Sequence, residues 1–597
     1  MHPYVSPIGE MWITPNRLPT PETDFLSERL DAGVLKGTTG LLLIALAIGT
    51  LLRLYGLTDR GLFDYDEAWY LLEAKSVHDA GSFLIDRAFG EHDGQPIGPA
   101  IRDYLRARGT VPHTSFKPGH VAVVLASFLV FGLHDYSPFL FSAIFGIGTA
   151  ILLYFLGRTF ASRREALFSS ALLACSASQI PYSRSSYAQA DSVFFVVLGV
   201  WLWARSRQEE RLKPIVLAGA ALGFAVTCHY NTAFVPFCIV ALDLISRGLQ
   251  FRRISLLLPR AAAWGTGIAA APLLFEGPGR LAKGLALVPE DFLTYVEQYT
   301  NRDTGGMASS LRWTTEGFPY VLDHFLATEG IAVILVGMIG LAVVSLRLRR
   351  QPIETVLLLV LGVLPALGWL FAMKEVDVRF RTFPVTFPFL ALIGGAGCAW
   401  LVDQAGRLSI RRSVLTTALV FFLCINGAIR AYPIVTLESG YREATNELLD
   451  YVANEGGTIG FRPGSSWPIY YFYLSSAYDR LHVDVRSRID FYRQKDQILP
   501  AGDFEPVDMW RYWRGFRMRG GQHLVSHLEQ LRTSGTPIVR VPNPITDMPR
   551  HFREAMGDSA RNCFDRILEI PESNTIQFYD LRSQTGQQVV TWNPEDR

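Results

Sequence analysis

The sequence predicts an α-helical polytopic membrane protein of about eleven transmembrane helices, followed by a C-terminal extracytoplasmic α/β domain. Three observations predict it. The 597 residues are 49% hydrophobic and 19% charged with a mean hydropathy of +0.20, too apolar for a soluble chain and too interrupted by charge for a bare bundle. Between Thr38 and Tyr432, apolar runs of spanning character recur. The short loops between them carry basic clusters in alternate loops only, all on one side.

Residues 1–36 are polar and contain several prolines, without the charged start and small-residue cleavage site of a secretory signal. They are expected to be cytoplasmic, with the first apolar run, Thr38 to Leu57, as an uncleaved anchor. A long polar loop, 58–136, follows. The next runs are Ser137–Leu156, Ala166–Tyr182, Ser192–Ala204, Pro214–Cys228, Ala233–Ile245, Leu256–Phe275, Gly330–Leu346, Ile353–Met373, Thr382–Val402 and Val414–Tyr432.

A further run, Val121–Leu133, is read as a helix at the outer interface, because the positive-inside rule then holds throughout. The clusters at Arg158, Arg163 and Arg164, at Arg205, Arg207, Arg211 and Lys213, at Arg247, Arg252 and Arg253, at Arg347, Arg349 and Arg350, and at Arg407, Arg411 and Arg412 then share the cytoplasmic side. Counting Val121–Leu133 as a span would put Arg163 outside and shift every later loop.

The expected organisation is therefore a cytoplasmic segment 1–36, a membrane unit 37–432 and an outer unit 433–597. The last alternates β-type runs (TIGF, LHVDV, PIVRV, RILEI, TIQFYDL) with helical patterns such as YREATNELLDYVANEG and VSHLEQLRTSG. No internal or inverted repeat is visible. With 56 Lys and Arg against 55 Asp and Glu, no bulk charge attracts nucleic acid. Five of the six cysteines lie in apolar runs, leaving Cys563 alone in the polar tail, so no disulfide framework is expected.

The candidate chemistry lies on the outer face. Asp66 and Glu67 stand about ten residues beyond the first apolar run, where a carboxylate is costly to desolvate. One of them can take a proton from an attacking hydroxyl, or either can serve as a first-turn acid of the helix that begins there. A phosphate leaving group needs cations rather than a general acid. Lys117 in HTSFKPGH and Lys374, Arg379 and Arg381 in KEVDVRFR could supply them, the last three breaking the charge rule on the outer side. A local salt bridge among Lys374, Glu375, Asp377 and Arg379 is the alternative. Arg302 and Arg312 are weaker candidates.

Asp191 sits at the outer mouth of a helix that then turns apolar, placed to bind or activate an acceptor or simply to start the helix. His113, His120 and His229 lack metal-site spacing and read as satisfied interfacial histidines. A Gly-rich phosphate cradle is absent from the sequence, which disfavours a nucleotide-driven pump.

At these residues the chain resembles the integral-membrane glycosyltransferases of the GT-C class, in the family 39 and 83 group of protein O-mannosyltransferases and lipid A aminoarabinose transferases. The resemblance is carried by Asp66 and Glu67, the Lys117-Pro118 element, the YSR segment running into Asp191, and RFRTFPVTFPFLALIGGAG. It covers roughly Gly37 to Tyr432 and implies a GT-C-like fold. One departure is Phe116-Lys117-Pro118-Gly119-His120 where the family usually has His-Pro-Pro.

The resemblance implies transfer of one sugar from a polyprenyl-phosphate donor to a lipid, glycan or protein acceptor at the outer face of the cytoplasmic membrane, with inversion. Asp66 would be the general base, Glu67 a supporting or cation-binding acid, and Lys117, Arg379 and Arg381 the phosphate clamp. Whether a divalent cation takes part stays open. The competing expectation is a transporter or flippase for a lipid-linked or anionic substrate, which calls for charges at helix centres that this sequence almost lacks.

Overall fold

The computed structural model describes residues 32–63, 65–89, 96–108, 117–207, 211–251, 257–284, 294–300, 317–372, 380–408, 410–436, 438–455, 458–461, 467–477, 538–541, 576–580 and 587–592. The chain is mostly helical. Helix α1 (Ala32–Leu54) leads to α2 (Tyr65–Phe89) and α3 (Ile97–Ala107), then α4 (Pro118–Phe131), α5 (Tyr136–Phe160) and α6 (Arg163–Cys175). After a 3₁₀ turn at Tyr182–Arg184 come α7 (Gln189–Ser206), α8 (Lys213–Cys228), α9 (Phe234–Phe251) and α10 (Leu258–Gly284). Next are α11 (Tyr295–Thr300), α12 (Gly317–Thr328), α13 (Ile331–Leu346), α14 (Pro352–Leu358), α15 (Leu364–Ala372), α16 (Phe387–Arg407) and α17 (Arg412–Val435). The tail contributes α18 (Tyr441–Glu455), β1 (Thr458–Phe461), α19 (Trp467–Ala477), β2 (Ile538–Val541), β3 (Ile576–Asp580) and β4 (Gln587–Trp592).

Every apolar run read as a span is helical over most of its length. Among the described residues, four helices are long and apolar enough to cross a membrane: α1, α5, α16 and α17, or five if α12 and α13, bent by 111° at their junction, form one broken span. Several elements differ from the expected runs, among them the following three. Helix α6 stops at Cys175 rather than Tyr182, because Ser176, Ser178 and Pro181 follow and Glu329 captures the Ser176 hydroxyl at 2.6 Å and the Ser178 N–H at 2.9 Å. Helix α10 continues beyond Phe275 to Gly284 despite Pro272 and Pro278. The run from Ile353 is interrupted by a π turn at Leu359–Val363, just before Pro365, which has no N–H to offer the previous turn.

The basic loops expected on one side gather at one end of the bundle. Arg164 and Arg412 reach Asp403 at 2.7 and 3.8 Å, Arg347 holds Glu165 at 2.6 Å, Arg207 holds Glu354 at 2.8 Å, and Arg163 reaches the Thr39 hydroxyl at the start of α1 at 3.2 Å. The opposite end holds the end of α1, the 176–188 loop and the ends of α8 and α17. Helix α4, at 14 residues about 21 Å long and short of a span, packs at that end against α2, α5 and α8.

The segment between α1 and α5 and the start of the tail share a core of their own. Leu62, Leu71, Leu72, Val124, Phe128 and Phe139 pack with Tyr441, Ile469, Phe472 and Leu474. Beyond them, β1 pairs parallel with β2, and β2–β3 and β3–β4 pair antiparallel, giving a four-stranded sheet in sequence order. Of the expected tail segments, TIGF, PIVRV, TIQFYDL and the helix at Tyr441 are found. LHVDV, RILEI and VSHLEQLRTSG lie outside the described residues, and α19 and β4 were not foreseen.

Candidate active site

The site is built from the start of α2. Asp66 and Glu67 both fall in its first turn, where carboxylates complement the exposed N–H groups. Their surroundings differ. Glu67 is fully buried: its Oε2 accepts the Phe63 N–H at 2.8 Å and its Oε1 pairs with Arg60 Nη2 at 2.8 Å. Arg60 is itself sandwiched between the Phe63 and Phe139 rings, 4.8 and 4.7 Å from their centroids. Glu67 thus anchors the helix start, the alternative role the sequence left open, and both its oxygens are engaged. Asp66 is half-buried and is the more accessible of the two.

One helical turn on, Tyr70 lies on the Asp66 face and ties it to the second element of the site. The Lys117 ammonium donates to the Tyr70 hydroxyl and stands 4.8 Å from the ring centroid. The Tyr70 ring also meets His120 edge-on, with centroids 4.8 Å apart. Lys117 precedes Pro118 at the first position of α4, a placement suited to proline's fixed φ. A cation distant in sequence is therefore held against the helix that carries Asp66 in its first turn.

Asp191, expected at the outer mouth of a helix, lies in the first turn of α7 and is 2% exposed. Its Oδ2 lies 2.9 Å from His120 Nδ1, its Oδ1 accepts the Ser192 N–H at 2.9 Å, and the Cys228 thiol is in hydrogen-bond contact with it. His120 Nε2 is 2.7 Å from the Ser186 carbonyl, and the Ser186 hydroxyl donates to the Glu67 carbonyl at 3.2 Å. His229 sits nearby, 3.4 Å from Gln189. Among the described residues, no three His, Cys, Asp or Glu side chains are grouped to hold a metal ion.

Sequence reasoning missed the arginines that frame this end. Arg184, the arginine of the YSR segment, is buried and donates to the carbonyls of Leu52 (3.1 Å), Arg53 (3.0 Å), Tyr55 (2.7 Å) and Val435 (2.9 Å). Arg53 is likewise buried and reaches the carbonyls of Gly49 at 2.9 Å and Ala174 at 2.5 Å. Both collect carbonyls at helix ends, where the macrodipole is negative. Burial, with Arg60 and Arg53 nearby, lowers the Arg184 guanidinium below its ordinary value. The signal was legible only as an arginine between two apolar runs. Lys374, Arg379 and His113, with Arg302 and Arg312, lie outside the described residues. Arg381 falls in the 3₁₀ segment Phe380–Val385 that leads to α16.

One buried charge cluster lies within the bundle near its basic end. Asp243, in α9, is buried and accepts from Arg260 (2.5 and 2.8 Å), Trp203 (2.9 Å) and Trp264 (2.9 Å). This cluster is internally satisfied and lies toward the basic end, apart from the candidate site.

Comparison with known proteins bears on the same residues. A family model described as dolichyl-phosphate-mannose-protein mannosyltransferase matches residues 115–273. The putative mannosyltransferase YkcB of Bacillus subtilis (strain 168) is 29% identical over 125 residues, which are 19% of this chain and 17% of that protein. Among solved structures, the Archaeoglobus fulgidus oligosaccharyltransferase in complex with zinc and sulfate is similar with a TM-score of 0.49 and 14% identity, over 73% of this chain and 61% of that one. ArnT from Cupriavidus metallidurans, bound to undecaprenyl phosphate, gives 0.48 and 14%, over 84% and 93%. The chain thus spans less than two thirds of the lengths of the first two relatives. The resemblance read from Lys117, Pro118 and Asp191 is met by the dolichyl-phosphate-mannose-protein mannosyltransferase family model, whose matched segment, 115–273, contains all three.

Proposed function

We propose that this protein is an inverting glycosyltransferase that moves a single hexosyl or pentosyl group from a polyprenyl-phosphate donor to a lipid, glycan or protein acceptor. It works at the outer face of the cytoplasmic membrane, with the N-terminus in the cytoplasm and residues 433–597 as an extracytoplasmic α/β domain. The observation that carries the reading is the contact of Lys117 with the Tyr70 hydroxyl, one helical turn beyond Asp66 in α2, at the end of the bundle opposite the ion-paired basic loops. The match of residues 115–273 to a mannosyltransferase family model supports it.

In this scheme Asp66 takes the proton of the acceptor hydroxyl as its oxygen attacks the anomeric carbon. The bond from that carbon to the phosphate oxygen breaks, and polyprenyl phosphate leaves with the electron pair. Lys117 meets the charge that develops on the phosphate, with Lys374, Arg379 and Arg381 as the remaining cations of the clamp. Glu67 supports the base by fixing the first turn of α2 through Arg60 and Phe63. An outward-facing site fits a lipid-borne donor, since nucleotide sugars are cytoplasmic.

The test is transfer from a radiolabelled polyprenyl-phosphate sugar to a cell-envelope extract, by wild-type and Asp66→Asn protein in liposomes. Wild type should release polyprenyl phosphate and label an acceptor. Asp66→Asn should be slower by about 10²- to 10⁴-fold, the usual worth of a general base, while melting normally. Equal transfer by the variant, or no transfer by wild type from any donor, overturns the reading.

A further inference from the structure

We propose that His120 is a positioning residue for the candidate base. With Asp191 it forms a buried imidazolium–carboxylate pair that fixes the placement of Lys117 relative to the first turn of α2. The inference deepens the transferase reading and rests on it for the activity it would tune.

The argument is a count of protons. His120 Nε2 faces the Ser186 carbonyl at 2.7 Å, and a carbonyl can only accept. Nδ1 faces Asp191 Oδ2 at 2.9 Å, and an ionised carboxylate can only accept. With the carboxylate ionised, both ring nitrogens donate and the imidazole carries a proton on each; the alternative, a protonated Asp191 donating to a neutral His120, leaves a single ring proton on Nε2. At 2% exposure for both side chains no water shares the task, and the Ser192 N–H on Asp191 Oδ1 completes the carboxylate side. A buried pair of this geometry is costly to break from either partner.

The pair joins three pieces of the site. His120 stands three residues after Lys117, at the start of α4. Ser186, whose carbonyl it holds, passes its hydroxyl to the Glu67 carbonyl at 3.2 Å in the turn that carries Asp66. Asp191 opens α7. Gly119 makes the approach possible: a Cβ there would lie 2.3 Å from the Thr227 hydroxyl and 2.9 Å from the Cys228 nitrogen. The other titratable groups facing the pair are Tyr70 from α2, edge-on to His120, and Cys228 from the end of α8, against Asp191. Lys117 lies one contact further, on the Tyr70 hydroxyl.

Two measurements decide it. In Asp191→Asn, a neutral His120 can accept from the new amide at Nδ1 and still donate from Nε2, so both hydrogen bonds survive without the extra proton. This variant should keep kcat within about tenfold of wild type, because the contacts that place Lys117 are retained. His120→Leu should lower kcat about 100-fold, the scale of a 1 Å misplacement, with a smaller effect on the donor KM. Asp191→Asn as inactive as Asp66→Asn would mean that Asp191 acts on substrate, and would overturn the proposal.

The second measurement needs no turnover. In protein carrying ¹⁵N-histidine, the resonance lost in His120→Leu should show both nitrogens protonated at neutral pH in wild type and only one in Asp191→Asn. A singly protonated His120 in wild type overturns the pair, whatever the transfer assay shows. If wild type transfers from no donor while both nitrogens are protonated, the transferase reading fails and the pair stands.

Discussion

Asp66 and Glu67 are neighbours in sequence with opposite environments, and the difference assigns their roles. Glu67 gives both oxygens to Arg60 and the Phe63 N–H in a buried setting, so Glu67→Ala leaves a guanidinium pressed between two rings with no counter-charge. Breaking such a pair costs about 3–5 kcal/mol, and the variant should show a sharply lowered melting temperature, whereas Asp66→Asn should not. Equal melting of the two would remove the anchoring role. The sequence made the acidic pair visible but not this division, because Arg60 is seven residues upstream and the Phe139 ring reaches it from α5. Lys117 was legible as a cation beside a proline. Its Tyr70 partner was not, since nothing local in either segment specifies that contact.

Helices in this bundle approach through glycine. A Cβ on Gly340 of α13 would fall 1.9 Å from the Ile393 carbonyl oxygen of α16, and one on Gly397 would fall 2.2 Å from the Val336 carbonyl oxygen, so each helix seats its backbone against the other. Gly397→Val must therefore separate them, with a stability loss of about 1–3 kcal/mol typical of overpacking. The measurement is thermal unfolding in detergent, and an unchanged midpoint would show that the two helices can slide. Hydropathy placed α1, α5, α13, α16 and α17 well, since long apolar runs carry their own signal. It misplaced the end of α6 and missed the π turn before Pro365, because a carboxylate from residue 329 and a missing N–H act below the reach of an averaged pattern.

At the scale of the whole molecule, the beginning of the tail is locked to the segment between α1 and α5. Arg442 reaches the Asp135 carboxylate at 3.3 Å and the Thr58 carbonyl at 3.0 Å. The Tyr473 hydroxyl donates to Asp135 at 2.8 Å and accepts from the Leu62 N–H at 3.1 Å. Burial raises the Asp135 carboxyl above its ordinary value, against the opposing pull of Arg442 and Tyr473. A carboxyl raised in the folded state binds its proton more tightly there than in the unfolded chain. Its contribution to stability is therefore complete below about pH 4, the ordinary carboxylate value, and fades as pH rises through the folded value. Asp135→Asn imitates the protonated form, so its melting advantage over wild type should be larger at pH 7.5 than at pH 4.5. An advantage that does not grow with pH would count against this linkage. Alternating charge in the loops foretold which helix ends share a face, and the ion pairs at Arg164, Arg207 and Arg347 bear that grouping out. The tail's docking was not foretold, because it depends on a tyrosine and an arginine more than 300 positions from the aspartate they hold.

Arg184 gives this arrangement an order in time. Its guanidinium takes carbonyls from the end of α1 and from Val435 at the end of α17, and synthesis delivers α17 long after α1. Until α17 arrives, a buried positive charge lacks one of its acceptors. A chain released before residue 412 would keep that charge at an unsealed wall, so α17 serves as the closing stone of a bundle whose first course was laid some 380 residues earlier.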